Sequence, residues 1–485
     1  MKVLELTITI LYFLVCAGIA VYFRRSTKGG VSFWGADRNI GFFVNGVAVL
    51  STLVSAASFL GFLGLSYRMG WSFTTMSFGV GSALGFILSL LLVSGPLRRY
   101  SELRGKYTLT NFFYDRYGKS SGLFATIFVL ILYPAYIVPQ LMGSGLVGAY
   151  LLGIDFTSAV LLVGVVYVLY VLLGGMLSVT WTDFLQGILL FTMMVALSFI
   201  AANHFGGFGP TIAEAVKVNP YFLSINPNIS PLTYIGISLG VLTFTLASPH
   251  IIMRLFTAKN VTQGRAALSL TAALTLIFHL VGYLGVAGAA LILFPKLANI
   301  DNTYIEVMNQ FFPPVVRGLA AAAILAAIMS TTAGMLLTIG AEVSGNLYKR
   351  YWRADAEDRR VIVVGQLAML LVGILTTILA LVQTQSIGVI VGLLVEGVGS
   401  ALVVPLIAGL WWPRANHVGG FLSAFGGFAV FFIVHFWVPV PMFAEILFAL
   451  PASVIFMVVG SLATAPARDK HSELVDELHR AVRLA

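Results

Sequence analysis

The sequence predicts an all-α integral membrane protein, a single bundle of thirteen membrane-crossing helices. Three observations carry that prediction. Hydrophobic residues make up 59% of the chain and charged residues 10%, with a mean hydropathy of +0.96, whereas soluble domains carry about 25% charged residues. The apolar residues fall into thirteen runs, most of them at or above the roughly 20 residues that a helix needs to span the hydrocarbon core. Lys and Arg gather in alternate connections between those runs.

The runs lie at 3–23, 41–66, 71–95, 121–152, 156–176, 179–203, 231–256, 265–294, 313–345, 361–384, 386–411, 416–438 and 443–464. The first is followed by Arg24 and Arg25 and lacks a small-residue cleavage pattern, so it reads as a span and not as a removed signal. The second is interrupted by "STLVSAASFLGFLG" (51–64), whose Ser and Gly residues weaken the helix. The fourth carries the amphipathic residues Tyr133, Tyr136 and Gln140. The sixth opens on "SVTWTDFLQG" (178–187), which puts Asp183 in a first turn where the helix dipole favours an acid.

A Gly- and Pro-bearing connection (204–230) leads to the seventh run, with "FTLASPHIIMR" (244–254) in its interior. Pro249 there removes a backbone donor in mid-helix. The ninth holds "AAILAAIMSTTAG" (322–334), in which three hydroxyls, Ser330, Thr331 and Thr332, follow one another. The eleventh places Glu396 inside an apolar span, where a charge costs about 2.5–3.5 kcal/mol on insertion scales. It therefore needs a partner, a wet cavity or a proton. The tail 465–485 contains "SELVDELHRAVRL", the pattern of a short amphipathic helix.

The connections 24–39, 97–119, 254–265 and 348–360, Arg414 and the tail hold 23 of the 28 Lys and Arg residues, all on one side of the bundle. The positive-inside rule makes that side cytoplasmic. It places the N-terminus outside and the C-terminus in the cytoplasm of a multi-pass protein of the cell membrane. The net charge of +9 is thereby accounted for by the bilayer, with no nucleic-acid partner implied. The single cysteine, Cys16, excludes an intrachain disulfide and paired-cysteine metal or redox sites.

Setting 3–23 aside, the two interrupted runs open two sets of five spans, 41–203 and 231–411, followed by the extra pair 416–464. An odd number of spans inverts the second set relative to the first. Inverted repeats that each open with a discontinuous helix point to an alternating-access transporter with its site near the bilayer midplane.

Within that frame, three successive hydroxyls cannot all face one neighbouring helix, because residues in a helix are about 100° apart. Beside a broken helix they suit a hard cation such as Na⁺, which takes oxygen ligands without requiring a buried charge. His250, next to Pro249, has the chemistry either to donate to an anionic substrate or to satisfy freed carbonyls. "GISLG" (236–240) has the form of a nucleophile elbow, but it lies in an apolar span and not at a strand-to-helix turn. No Walker A sequence, HExxH or Cys/His cluster occurs. The chain is therefore read as a carrier and not as an enzyme.

At these residues the chain resembles the sodium:solute symporter family. "GGMLSVTWTDFLQG" (174–187) is similar to the family's signature, and "AAIMSTTAGMLL" with "NLYKR", and "PHIIMRLFTAKN" (249–260), resemble further stretches of it. The resemblance implies the LeuT-type inverted-repeat fold. It also implies a sodium site of the Ser51, Val54 and Ala327 carbonyls with the Ser330 and Thr331 hydroxyls. Asp183, with Thr332, is expected at a second ion site or on the ion's exit path.

The substrate is expected among Ser55, Ala56, Ser58, Phe59, Tyr133, Tyr136, Gln140, Ser248 and His250. "SAASFLG" and "AAIMST" are similar to members that carry acetate-like monocarboxylates or pantothenate, which makes a small organic anion the expected partner. Proline or another neutral solute, a proton-coupled carrier using Glu396 and Asp183, and a channel or sensor are the alternatives.

Overall fold

The computed structural model describes residues 3–24, 33–173, 175–383, 385–464 and 470–480. Half of the connection 24–39 and parts of the tail 465–485 lie outside the described residues, as do the single positions 174 and 384. In chain order the helices are α1 (Val3–Arg24), α2 (Phe42–Leu53), α3 (Ala57–Met69), α4 (Trp71–Arg104), α5 (Leu109–Tyr117), α6 (Lys119–Leu152), α7 (Phe156–Leu173) and α8 (Met176–His204). They continue as α9 (Phe208–Val218), α10 (Pro231–Ala247), α11 (Pro249–Thr257), α12 (Val261–Leu293), α13 (Thr303–Phe311), α14 (Pro314–Trp352) and α15 (Asp358–Ala380). The last four are α16 (Ile387–Trp411), α17 (His417–Trp437), α18 (Ile446–Ala463) and α19 (Lys470–Arg480).

Among the described residues, eleven helical spans are long and apolar enough to cross a membrane, one of them formed by α10 and α11 together, and the bent pair α2–α3 makes a twelfth. The remaining expected run, 156–176, is occupied by α7, in which Phe156–Tyr167 is a shorter apolar helix. The connections expected to be irregular contain the short helices α5, α9 and α13. Helix α4 runs past the expected end at 95, and α14 past 345, each carrying its span into the face that bears most of the Lys and Arg, the basic face.

Both interruptions are real breaks. α2 and α3 meet at an angle of 64°, and Val54 between them is extended, with φ −72° and ψ 119°. Ser248, between α10 and α11, adopts nearly the same conformation, φ −67° and ψ 122°. Proline at the first position of α11 explains the second break: it has no N–H to continue α10, and its fixed φ suits a new helix start. The first break is held by serine, because Ser55 Oγ accepts from Ala57 N–H at 3.2 Å in place of a helix carbonyl.

α14 is the central post. The most apolar part of this span is buried along its whole length, and its small residues Ala320 to Ala323, Ala326 and Ala327 allow neighbouring backbones to approach closely. It packs against α1, α6, α8, α2 and α15. α10 packs against α16, and α17 and α18 pair with each other and cover α16.

Candidate functional site: hydroxyls of a central helix at the end of a broken one

The end of α2 leaves its last carbonyls without helix donors, as every helix C-terminus does. α14 answers them. Ser330 Oγ donates to the Ser51 carbonyl at 2.6 Å and lies 3.1 Å from the Ala327 carbonyl. Thr331 Oγ1 lies 2.9 Å from the Thr52 carbonyl and 3.3 Å from that of Val54. The five oxygens expected around sodium thus fall into two hydrogen-bonded sets, one about Ser330 and one about Thr331, and the Thr52 carbonyl joins the second.

All of these residues except Val54 are polar or small and every one is buried. None is charged, and the carbonyl end of α2 carries the negative end of its helix dipole. The donor set consists of neutral oxygens, which fits a hard monovalent cation.

Asp183 is not a cap at a helix start. It lies in the second turn of α8, 1% exposed, in an ion pair with Arg254 of α11. Arg254 also donates to Thr180 Oγ1 at 2.7 Å, and Thr52 Oγ1 lies 3.3 Å from Asp183 Oδ2. Thr52 thus touches both the cation cradle and the ion pair. Arg254 falls by sequence in the basic connection 254–265, but it is fully buried, so its charge belongs to the interior and not to the basic face. Thr332 Oγ1 has no hydrogen-bond partner among the described residues, and neither has Asp183 Oδ1.

The expected substrate residues divide into two groups. Ser55, Ala56, Gln140, Tyr133, Ser248 and His250 line the two breaks. Gln140 Oε1 accepts from Ala56 N–H at 2.9 Å, while Tyr133 Oη accepts from His250 N–H at 3.0 Å and lies 2.8 Å from His250 Nδ1. Ser248 Oγ is 3.0 Å from the same ring nitrogen. Tyr133, Tyr136 and Gln140 share one face of α6 at three- and four-residue spacing, and the ring of Tyr136 stacks on Phe244.

Ser58 stays at the first break through its side chain, whose Oγ accepts from Ser55 N–H at 3.4 Å, while its carbonyl and the ring of Phe59 are engaged elsewhere. The Ser58 carbonyl accepts from Tyr283, and Phe59 packs edge-on against Phe278 and Tyr304 at 5.6 and 5.0 Å. They form a roof over the breaks on the face opposite the basic one. Gly61 and Gly388 complete it by backbone contact, since a Cβ on Gly61 would lie 2.4 Å from Gly388 N. On the basic face Ile40 pairs with Ala258 in an isolated bridge, and Asn45 Nδ2 donates to the Arg254 carbonyl at 3.0 Å. The breaks are enclosed from both sides.

Glu396 does not face the breaks. It is buried against α10 and α18, where its Oε2 accepts from Ile446 N–H at 3.2 Å.

Known proteins match this arrangement. The profile of the Sodium:solute symporter family matches residues 33–427. The chain belongs to the sodium:solute symporter family.

Among curated relatives of this symporter, the osmoregulated proline transporter OpuE of Bacillus subtilis is 28% identical over 87% of each chain. The high-affinity proline transporter PutP of the same organism is 30% identical over 80% of this chain and 84% of its own. Among solved structures, a Na⁺-coupled sialic acid symporter superposes with a TM-score of 0.83 at 19% identity, covering 96% of this chain and 98% of that one. A nucleobase-cation-symport-1 family transporter and the transporter MhsT in complex with L-phenylalanine follow at TM-scores of 0.59 and 0.56, each at 13% identity, over 93% and 88% of this chain and 98% and 99% of theirs. These likenesses establish the LeuT-type fold for the chain. Family membership makes it a transporter and not an enzyme, with sodium as its coupling ion.

Proposed function

We propose that this symporter uses the sodium gradient to import a small carboxylate-bearing solute by alternating access, with proline the first candidate. The observation that carries the reading is the cradle at Ser51, Val54, Ala327, Ser330 and Thr331, which lies directly beside the uncharged, polar breaks of α2–α3 and α10–α11. Sodium would bridge α2 to α14 through these oxygens. That bridge fixes the break at Val54–Ala56 in a substrate-competent form.

The amide ends of α3 and α11 would receive the carboxylate without a buried cation. Sodium would then leave past Asp183 toward the basic face, which the positive-inside rule makes cytoplasmic. The two proline transporters among the relatives support an amino or imino acid.

A second reading, an acetate-like monocarboxylate, is favoured by one observation. Among the described residues no free side-chain carboxylate faces the breaks to receive a substrate ammonium, because Asp183 is engaged by Arg254 and Glu396 faces α18.

Uptake into proteoliposomes under an inward Na⁺ gradient tests both readings, using labelled proline, acetate, lactate, pyruvate, pantothenate and glucose. Saturable, sodium-driven accumulation of proline supports the first and of acetate the second, while accumulation of glucose alone overturns the carboxylate reading. Accumulation without sodium dependence overturns the role of the cradle.

A further inference from the structure

Glu396 carries an acid into the apolar interior, and neither the sodium cradle nor the substrate breaks use it. It follows Ile387, the first residue of α16, by nine positions, roughly 13.5 Å along the helix. A second acid, Glu445, precedes α18 at the end of the connection 438–445. That connection dips inward from the face opposite the basic one. Phe443, with φ +64°, is fully buried, and its carbonyl and ring fill the space left by Gly236 of α10 and Gly392 of α16.

The dip brings Glu445 beside Glu396, since Glu396 meets the N–H of Ile446, the residue that directly follows Glu445. Glu396 is 0% exposed and Glu445 4%. Glu396 Oε2 accepts from Ile446 N–H, and Glu445 Oε1 accepts from His435 Nδ1 at 2.8 Å. The other oxygens, Glu396 Oε1 and Glu445 Oε2, have no donor. Two buried carboxylates in contact cannot both be ionised without a large penalty.

One proton resolves the whole arrangement, and we propose that Glu396 and Glu445 form a proton-binding site in which Glu396 Oε1–H donates to Glu445 Oε2. That single hydrogen bond satisfies both orphaned oxygens. It leaves the one remaining negative charge on Glu445, where His435 donates to it. A metal ion is a poor occupant, because among the described residues no group of three or more His, Cys, Asp or Glu is arranged to hold one.

The surrounding elements bring no competing charge to the pair. α10 has no charged residue, α6 has only Lys119 at its basic-face end, and α17 contributes only His417 and His435. Arg68 of α3 lies at the far end of that helix, and Asp115 and Arg116 of α5 sit where α16 reaches the basic face, Arg116 donating to the Gly409 carbonyl. His435 is about a third exposed, at 31% of its side chain, and so offers the proton a route from the aqueous face opposite the basic one.

The consequence is mechanical. Bound, the proton seals the connection 438–445 between α10 and α16. Lost, it leaves two facing anions, and the connection is expelled toward water.

Two measurements on the full chain in detergent or liposomes test this. Infrared spectra at neutral pH are expected to contain the carbonyl band of an un-ionised carboxylic acid, lost in Glu396→Gln and shifted in Glu445→Gln. Maleimide labelling of Val440→Cys, with Cys16 buried, is expected to accelerate about tenfold per pH unit once the proton begins to leave. In a Glu396→Gln background, whose amide donates permanently to Glu445, labelling is expected to stay slow at every pH. A band that survives in both variants, or that is absent from the wild type, overturns the site; labelling of Val440→Cys that is independent of pH overturns the seal. If Glu396→Gln fails to fold, Glu445→Gln serves the same comparison.

Discussion

The hydroxyl of Ser330 donates to the backbone carbonyl of Ser51 at 2.6 Å, across 279 residues of chain. With Thr331 it ties α14 to the exposed carbonyl end of α2. A hydroxyl that only joined two helices would contribute about 0.5–1.5 kcal/mol to stability, and its loss would leave sodium dependence unchanged. A ligand's loss raises the sodium concentration for half-maximal uptake. Ser330→Ala and Thr331→Ala are each expected to raise it about tenfold or more, equivalent to about 1.4 kcal/mol, while Thr331→Ser, which keeps the oxygen, stays near wild type. A sodium titration of initial uptake rates checks this.

Arg254 and Asp183 neutralise each other in the interior. Removing one partner of a buried pair leaves an uncompensated charge and costs about 3–5 kcal/mol. Arg254→Met is therefore expected to lower thermal stability sharply. Arg254→Met combined with Asp183→Asn is expected to recover most of the loss, because the remaining groups are neutral. Melting curves of the wild type, the two single variants and the double variant in one detergent measure the coupling.

Gly61 meets Gly388 backbone to backbone, with the added Cβ only 2.4 Å from Gly388 N. Neither backbone can yield as a side chain would. Overpacking of this kind costs about 1–3 kcal/mol, and it falls on the packing of α3 against α16 seen here. Gly61→Ala is expected to slow uptake by roughly tenfold or more while the protein still folds, since an open roof has room for the methyl group. Size-exclusion behaviour and uptake rate, measured together, separate these effects.

Asp301 lies in the 3₁₀ turn Ile300–Asn302 and accepts from Ile387 N–H at 3.2 Å, so it fastens the start of α16 to the roof. Burial raises its carboxyl above the usual aspartate range, partly offset by that hydrogen bond. Opening the roof exposes it to water and returns it toward the ordinary value. The protonation-linked preference for the closed form is thus fully present below the ordinary aspartate range and is lost as pH rises through the raised value. Acidifying the medium on that face should slow the opening step in the wild type. Asp301→Asn keeps an acceptor for Ile387 and is expected to flatten this acidic limb of the uptake profile.

The breaks were legible in the sequence because Pro249 and the serines at 51–58 are local signals that stand out against apolar surroundings. The hydroxyls at 330–332 were legible for the same reason. Arg254 was not, since a charge counted near the end of a run reads as loop, and its partner lies 71 positions away. Its one local sign is its spacing, four residues after His250 on the short helix that follows Pro249. Glu396 was visible as an anomaly, but its partner Glu445 lies beyond a connection whose inward dip depends on Gly236 and Gly392 being small. The separation of Phe59 from His250 reflects how α3 turns after the break, which side-chain chemistry does not reveal.

The polar atoms at the first break are satisfied from far along the chain: Ala56 N–H by Gln140, and the Ser51 and Thr52 carbonyls by residues 330 and 331. During synthesis at about 5–20 residues per second, the 279 residues that separate each of those carbonyls from its hydroxyl correspond to tens of seconds. For that interval the newborn first half of the bundle carries an unfinished polar wound in its second span. Such a segment must wait at the edge of the insertion machinery, or beside water, until α14 arrives. The break in the second span thus sets a timetable for the chain's birth in the membrane.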